Sequence, residues 1–168
     1  EGLCDTVQID VMDGEFVDNV SWIDPEQIAK MPLPMPFEAH LMVKDPFALL
    51  DALSRAGCIR AIVHAEAVDD ALEAIRTVKS YGMEAGISIN PETSVSAIEA
   101  AAAEADVVQV MGVHPGRMGR AFQEVAVQKV RELRGEIAQT FAKSTATLID
   151  DTAEAIAEFQ RKATEAKL

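Results

Sequence analysis

The run Ile59-Arg60-Ala61-Ile62-Val63-His64-Ala65 decides the fold class. Its centre, Ala61-Ile62-Val63, is apolar on both faces of a strand, and Val107-Val108 repeats the pattern. A strand with one wet face alternates apolar and polar residues. A strand covered on both faces does not, and such strands belong to parallel sheets with helices packed over them. Working outward, strands are read over Val7–Met12, Phe37–Val43, Ile59–Ala65, Glu84–Asn90 and Val107–Val113. Helices are read over Pro25–Met31, Pro46–Ala56, Asp69–Tyr81 and Thr93–Glu104, and then Glu124–Gly135 with Val127, Val130 and Leu133 on one stripe. Pro46 fits a first helical turn, where its missing N–H costs nothing, and Gly82 suits a helix end. Strand and helix alternate at roughly 25 to 30 residues, the pattern of an α/β fold. No Gly-, Pro- or Ser-rich linker divides the chain, so residues 1–168 read as a single domain. Periodicity alone leaves two architectures open, a doubly wound sheet and an incomplete barrel, because a closed barrel normally takes about 200 residues or more.

Composition narrows the function classes. With 49% hydrophobic residues the chain has the apolar content for a core. Its 28 acidic against 15 basic residues give a formal charge of −13, which argues against a nucleic-acid partner because a polyanion needs a cationic footprint. An anionic ligand would have to be held by local features such as helix N-termini and backbone amides. Cys4 and Cys58 lie in no metal-ligand spacing and read as small buried thiols. No apolar run approaches the roughly 18 residues that span a bilayer. No charged-then-apolar leader opens the sequence, and a cytoplasmic location is the expectation.

Polar residues gather where the strands end, and in parallel α/β folds ligands bind at those ends. Asp10-Val11-Met12-Asp13-Gly14 closes the first strand, and alternation sets Gln8, Asp10 and Met12 on one face. An inward carboxylate is costly unless it meets a metal, a proton or a partner; the plainer role for Asp10 is to cap a loop. On the second strand Glu38, His40 and Met42 share a face. A lone strand histidine is usually a core residue, but Asp and His on neighbouring inward faces suit a metal site or a proton-transfer pair. His64 repeats the pattern on the third strand, either supporting such a site or filling the core. After the fifth strand, Val110 to Arg120 carries glycines that let backbone N–H groups approach an anion, and arginines that add forked donors. This loop is a candidate phosphate contact; otherwise it is a solvated loop.

These residues together resemble the ribulose-phosphate 3-epimerase family. Val7-Gln8-Ile9-Asp10-Val11-Met12-Asp13-Gly14 with Phe16 and Asn19 is similar to its first signature, and Ala39-His40-Leu41-Met42-Val43 with Asp45-Pro46 to its second. Val63-His64-Ala65-Glu66, Asn90-Pro91-Glu92-Thr93 and Val110-Met111-Gly112-Val113-His114-Pro115-Gly116 follow in the family's order. The resemblance implies a (β/α)8 TIM barrel of the ribulose-phosphate-binding type, incomplete in this sequence. It implies an isomerase that epimerises D-ribulose 5-phosphate and D-xylulose 5-phosphate at C3, using two aspartates as acid and base and a divalent metal, zinc or iron. Carried over by position, Asp10 would be the acid/base and a metal ligand, and His40 a metal ligand. Met12, Met42 and Met111 would wall the enediolate. Gly116 and Gly119 would belong to a phosphate loop, with Arg120 beside them and Ser144 as a further phosphate contact. A homo-oligomer is also implied, with no membrane or nucleic-acid partner.

Three departures stand out. The family's first histidine ligand falls on Gln8, a poorer ligand for a transition metal. The loop reads Gly116-Arg117-Met118-Gly119-Arg120 where the family has Gly-Phe-Gly-Gly-Gln, so arginine would compensate for a blocked amide. The later segment with the second aspartate has no counterpart, and the family's first strand is missing before Glu1. The alignment would skip on the order of 40 residues near 139–141. Two other activities fit these features: a 3-epimerase for a hexulose 6-phosphate, or a sugar-phosphate-binding barrel without catalysis.

Overall fold

A computed structural model of the chain describes residues 5–21, 24–30, 35–117 and 119–135. The chain divides into two compact units, Glu1–Glu132 and Leu133–Leu168; of the second, residues 133–135 are described. Cys4, Met118 and Ser144 and the expected gap near 139–141 lie outside the described residues.

The first unit holds five parallel strands: β1 (Val7–Met12), β2 (Phe37–Met42), β3 (Arg60–His64), β4 (Glu84–Ile89) and β5 (Val107–Val110). They lie side by side in chain order. A doubly wound sheet reverses its strand order partway; this one does not, so it is a stretch of (β/α) barrel wall. Between the strands run α1 (Pro25–Ile28), α2 (Phe47–Arg55), α3 (Ala71–Ser80) and α4 (Glu99–Glu104), followed by α5 over residues 125–135. Among the described residues no helix is long and apolar enough to cross a membrane.

The two sheet faces differ in chemistry because strand side chains alternate. Ala39, Leu41, Ala61, Val63, Ala85, Ile87 and Ile89 share one face and are fully buried, as are Leu50 and Leu53 of α2 and Ala74, Ile75 and Val78 of α3. Burying each of the larger side chains stabilises the fold by about 1.5–3 kcal/mol. The opposite face is stacked in rows set by the register. One row is Gln8, Glu38, Arg60 and Glu84, in which Arg60 donates to Glu38 at 2.5 Å and through Nε to Glu84 at 2.9 Å. The next row is Asp10, His40, Ile62, Gly86 and Val107. A Cβ on Gly86 would stand 2.7 Å from Ile62 Cγ1, so the small residue makes room for the branched one.

Several boundaries shift for local reasons. Pro46 caps α2 from outside its first turn, and the Asp45 carboxylate accepts from Phe47 N–H and Ala48 N–H at 3.1 and 3.3 Å. Asp70 caps α3, accepting from Leu72 and Glu73 N–H, so the helix starts two residues later than its pattern suggests. The expected helix Thr93–Glu104 breaks into a 3-10 turn over Val95–Ile98 and α4. Cys58 is the buried thiol its type suggests, and burial pushes its pKa up to about 11.

The stripe expected on α5 holds at Leu133 and fails at the other two positions. Val127 and Val130 are 37% and 44% exposed, whereas Ala126, Lys129 and Leu133 are buried. Lys129 is tolerated inside because its Nζ donates to the carbonyls of Asn90 (2.9 Å), Pro91 (2.7 Å) and Thr93, which satisfies a cation that would otherwise be costly to bury. Replacing it strands three inward carbonyls. Lys129→Met is expected to lower stability by about 2–3 kcal/mol, read as a shift in the urea unfolding midpoint.

Candidate functional site

The strand ends of β1, β2 and β5 and the loop after β5 line a cleft of ≈ 450 Å³. Gln8, Asp10, Met12, His40, Met42, Met111 and Gly116 all border it. An adjoining cleft of ≈ 230 Å³ is bordered by Asn90, His114, Gly116, Arg117 and Arg120. Gly119 lines neither cleft and holds a turn at φ +79°. Gly116 sits at φ +90°, and a Cβ there would lie 2.7 Å from Val17 Cβ, so both its backbone angle and its close approach demand glycine.

The parallel register places Asp10 directly across from His40. Their side chains meet, with His40 Nδ1 3.0 Å from Asp10 Oδ1. Asp10 therefore does not cap the loop; Asp13 does. Its Oδ1 accepts from Glu15 and Phe16 N–H at 2.8 and 2.9 Å, and its Oδ2 from Lys44 N–H at 2.7 Å. Burial alone would raise the Asp13 pKa, but these backbone donors outweigh it and lower it. Asp13 thus ties the end of β1 to the end of β2, and Gly14 at φ +78° lets the chain turn between them.

Behind Asp10 the contacts continue inward. His40 Nε2 lies 2.8 Å from His64 Nε2, and His64 Nδ1 lies 3.1 Å from Glu66 Oε2. Glu66 Oε1 accepts from Asn90 N–H at 2.8 Å and from the Thr93 hydroxyl. His64 is thus the supporting residue rather than inert core, although it is fully buried. Phe16, which Asp13 holds by its N–H, packs on the His64 ring with centroids 4.9 Å apart. An ionised carboxylate only accepts, so the Nδ1–H of each imidazole would point at the carboxylate beside it. Burial, and next the neighbouring His64, lower the His40 pKa against the opposing pull of Asp10.

The divalent metal implied by the resemblance needs several donors around one point. Both His40 nitrogens are engaged, by Asp10 and by His64. The Gln8 side chain offers Asp10 an N–H, at 3.3 Å, where a metal ligand would present a lone pair. Among the described residues no group of three or more His, Cys, Asp or Glu is placed to hold a metal. The described donors, taken by themselves, do not fit one. Gln109, unnoticed in the sequence, also borders the cleft; it lies two residues before Met111 on β5, and strand alternation would have pointed to it.

Glu66 anchors the buried chain, and its charge is strongly held. Burial would raise its carboxyl, but hydrogen bonds from His64, Thr93 and Asn90 N–H prevail and bring its pKa down to about 2 from 4.5. A depressed acid stabilises the fold above its unfolded pKa, and that stability is lost as pH falls through the folded value. Glu66→Gln is expected to cost about 1–3 kcal/mol near neutrality. The gap to the unsubstituted protein should close as pH drops from 4.5 towards 2, followed by urea unfolding at each pH.

The model of the Ribulose-phosphate 3 epimerase family matches residues 1–165. A ribulose-phosphate 3-epimerase of Chlamydia muridarum is 37% identical over 146 residues, 86% of this chain and 63% of that protein. One of Bacillus subtilis is 35% identical over 136 residues, 80% of this chain and 62% of that protein. The chloroplastic ribulose-5-phosphate-3-epimerase of Arabidopsis thaliana is 38% identical over 136 residues, 78% of this chain and 48% of that protein. The chain therefore spans less than two thirds of the length of these curated relatives. With its strands wound in chain order and its motifs at their ends, this chain belongs to the ribulose-phosphate 3-epimerase family.

Proposed function

We propose that the intact protein interconverts D-ribulose 5-phosphate and D-xylulose 5-phosphate, with Asp10 moving a proton at C3 on one face of the sugar. The observation that carries this reading is the Asp10 carboxylate, 54% exposed at its side chain into the cleft and braced from behind by a buried histidine at 3.0 Å. A carboxylate so placed accepts the proton α to the ketose carbonyl, and the C–H electron pair moves into the carbonyl to form the enediolate. Inversion then requires a proton from the opposite face. Asp10 is the sole carboxylate bordering the main cleft among the described residues, so the second acid/base would come from outside them.

Met12, Met42 and Met111 supply an apolar wall that keeps water from the carbanion. The loop residues Gly116, Arg117 and Arg120 would take the phosphate in the adjoining cleft, where arginine suits a phosphate's forked geometry. Asp10's part in proton transfer does not depend on a metal. A cytoplasmic setting goes with such a substrate.

Gln8, standing where the family has a histidine, favours a second reading, a barrel that binds sugar phosphate without turnover. Deuterium uptake from heavy water into C3 separates the two. The intact protein is expected to exchange that hydrogen and to lose about 10²–10⁴-fold in rate as Asp10→Asn. Binding of ribulose 5-phosphate with no exchange would favour the second reading. Faster turnover of a hexulose 6-phosphate would reassign the substrate.

A further inference from the structure

Gln109 is the cleft residue that the proton-transfer reading leaves without a part. Its Nε2 lies 3.4 Å from His40 Nε2, 3.5 Å from His40 Nδ1 and 3.4 Å from Met111 Sδ. All three contacts are at the outer limit of a hydrogen bond. Both His40 nitrogens already have closer partners, and a thioether is a weak acceptor. This amide N–H₂ borders the cleft without a full-strength acceptor. On the other side of the Asp10–His40 pair, Gln8 Nε2 donates one N–H to Asp10 at 3.3 Å and has a second to give. The pair is flanked by two neutral amide donors, and one of them replaces a histidine ligand of the family.

We propose that Gln8 and Gln109 form an amide clamp for the oxyanion of the enediolate, and that this site works without a resident divalent metal. The proposal rests on the epimerase reading. When the C3 proton passes to Asp10, the electron pair shifts to the carbonyl at C2 and its oxygen becomes an oxyanion; on return of a proton to C3 the charge collapses back. Donors already in place where that charge develops stabilise it without reorganisation. The same geometry opposes a metal. The N–H of Gln8 and the Nδ1 of His40 both fall on Asp10 Oδ1, and an amide is a weak ligand for a transition ion.

The test uses the intact protein after dialysis against a chelator. Calorimetric titration with zinc alone, and with manganese alone, is expected to give no one-to-one binding. One-to-one binding that disappears in Asp10→Asn would overturn the proposal whatever the activity. Turnover of ribulose 5-phosphate is expected to stay within about twofold of the undialysed protein. Gln109→Leu should lower kcat about 10²-fold, the loss seen on removing an oxyanion donor, with KM nearly unchanged. Gln109→Glu, close in size but lacking the donors, should lose at least as much, which separates donor loss from misfolding. Turnover lost on dialysis and restored by metal, or kcat unchanged in both Gln109 variants, would overturn the clamp and leave the epimerase reading standing. No turnover under any condition would instead remove that reading, and the clamp with it.

Discussion

The parallel pairing of β1 with β2 sets Asp10 opposite His40 and, one row away, Gln8 opposite Glu38. Side chains on a strand alternate with a period of two, so a slip of one residue would turn Asp10 into the helix layer and bring Val11 to the cleft. The row through Arg60 opposes such a slip. Its guanidinium, 24% exposed, joins Glu38 and Glu84 across three neighbouring strands, and a shifted register would leave these partly buried charges unpaired, which is strongly unfavourable. Apolar packing on the opposite face selects the same register, because Leu41, Val63 and Ile87 meet the helices only in this one.

From that pairing the polar interior follows as a connected chain. Two buried imidazoles would be costly unless each nitrogen found a partner. Here they lean on each other and end on a carboxylate at either side. The loop motif Asp13-Gly14 contributes from a distance: Asp13 fixes the backbone that carries Phe16, and Phe16 lies on His64. At the far end Glu66 draws in Asn90 and Thr93, and Lys129 holds the carbonyls of the same segment. One turn after β4 is thus gripped by an anion and a cation. This accounts for the helix expected from Thr93 onward opening as a 3-10 turn instead.

On the proposed reading a strongly acidic chain would receive an anionic sugar, held by local arrangement rather than by net charge. Arg117 and Arg120 stand at the smaller cleft beside Gly116, while His114 is held by Glu92 at 3.0 Å. The Asp10 end of the larger cleft is different in kind, with methionines, one carboxylate and amides around an imidazole. Arg117 borders both clefts and pairs with Asp18 at 3.6 Å, while Arg120 borders the smaller one.

Strand identity, the parallel α/β class and the inward faces of Asp10 and His40 were legible in the sequence, because apolar runs and a period of two are properties of neighbouring residues. The family's motifs chose the barrel over the doubly wound sheet before the strand order did. What the chain alone could not decide were contacts between residues far apart along it. His64 was ambiguous until Glu66 and His40 were placed on its two nitrogens, and Gln109 had no visible neighbour until β5 came round to His40, 69 residues earlier in the chain. Lys129 defeated the helical pattern outright. Hydropathy assigns a lysine to water, and only the tertiary fold brings three backbone carbonyls to the place where its charge can be satisfied in the interior.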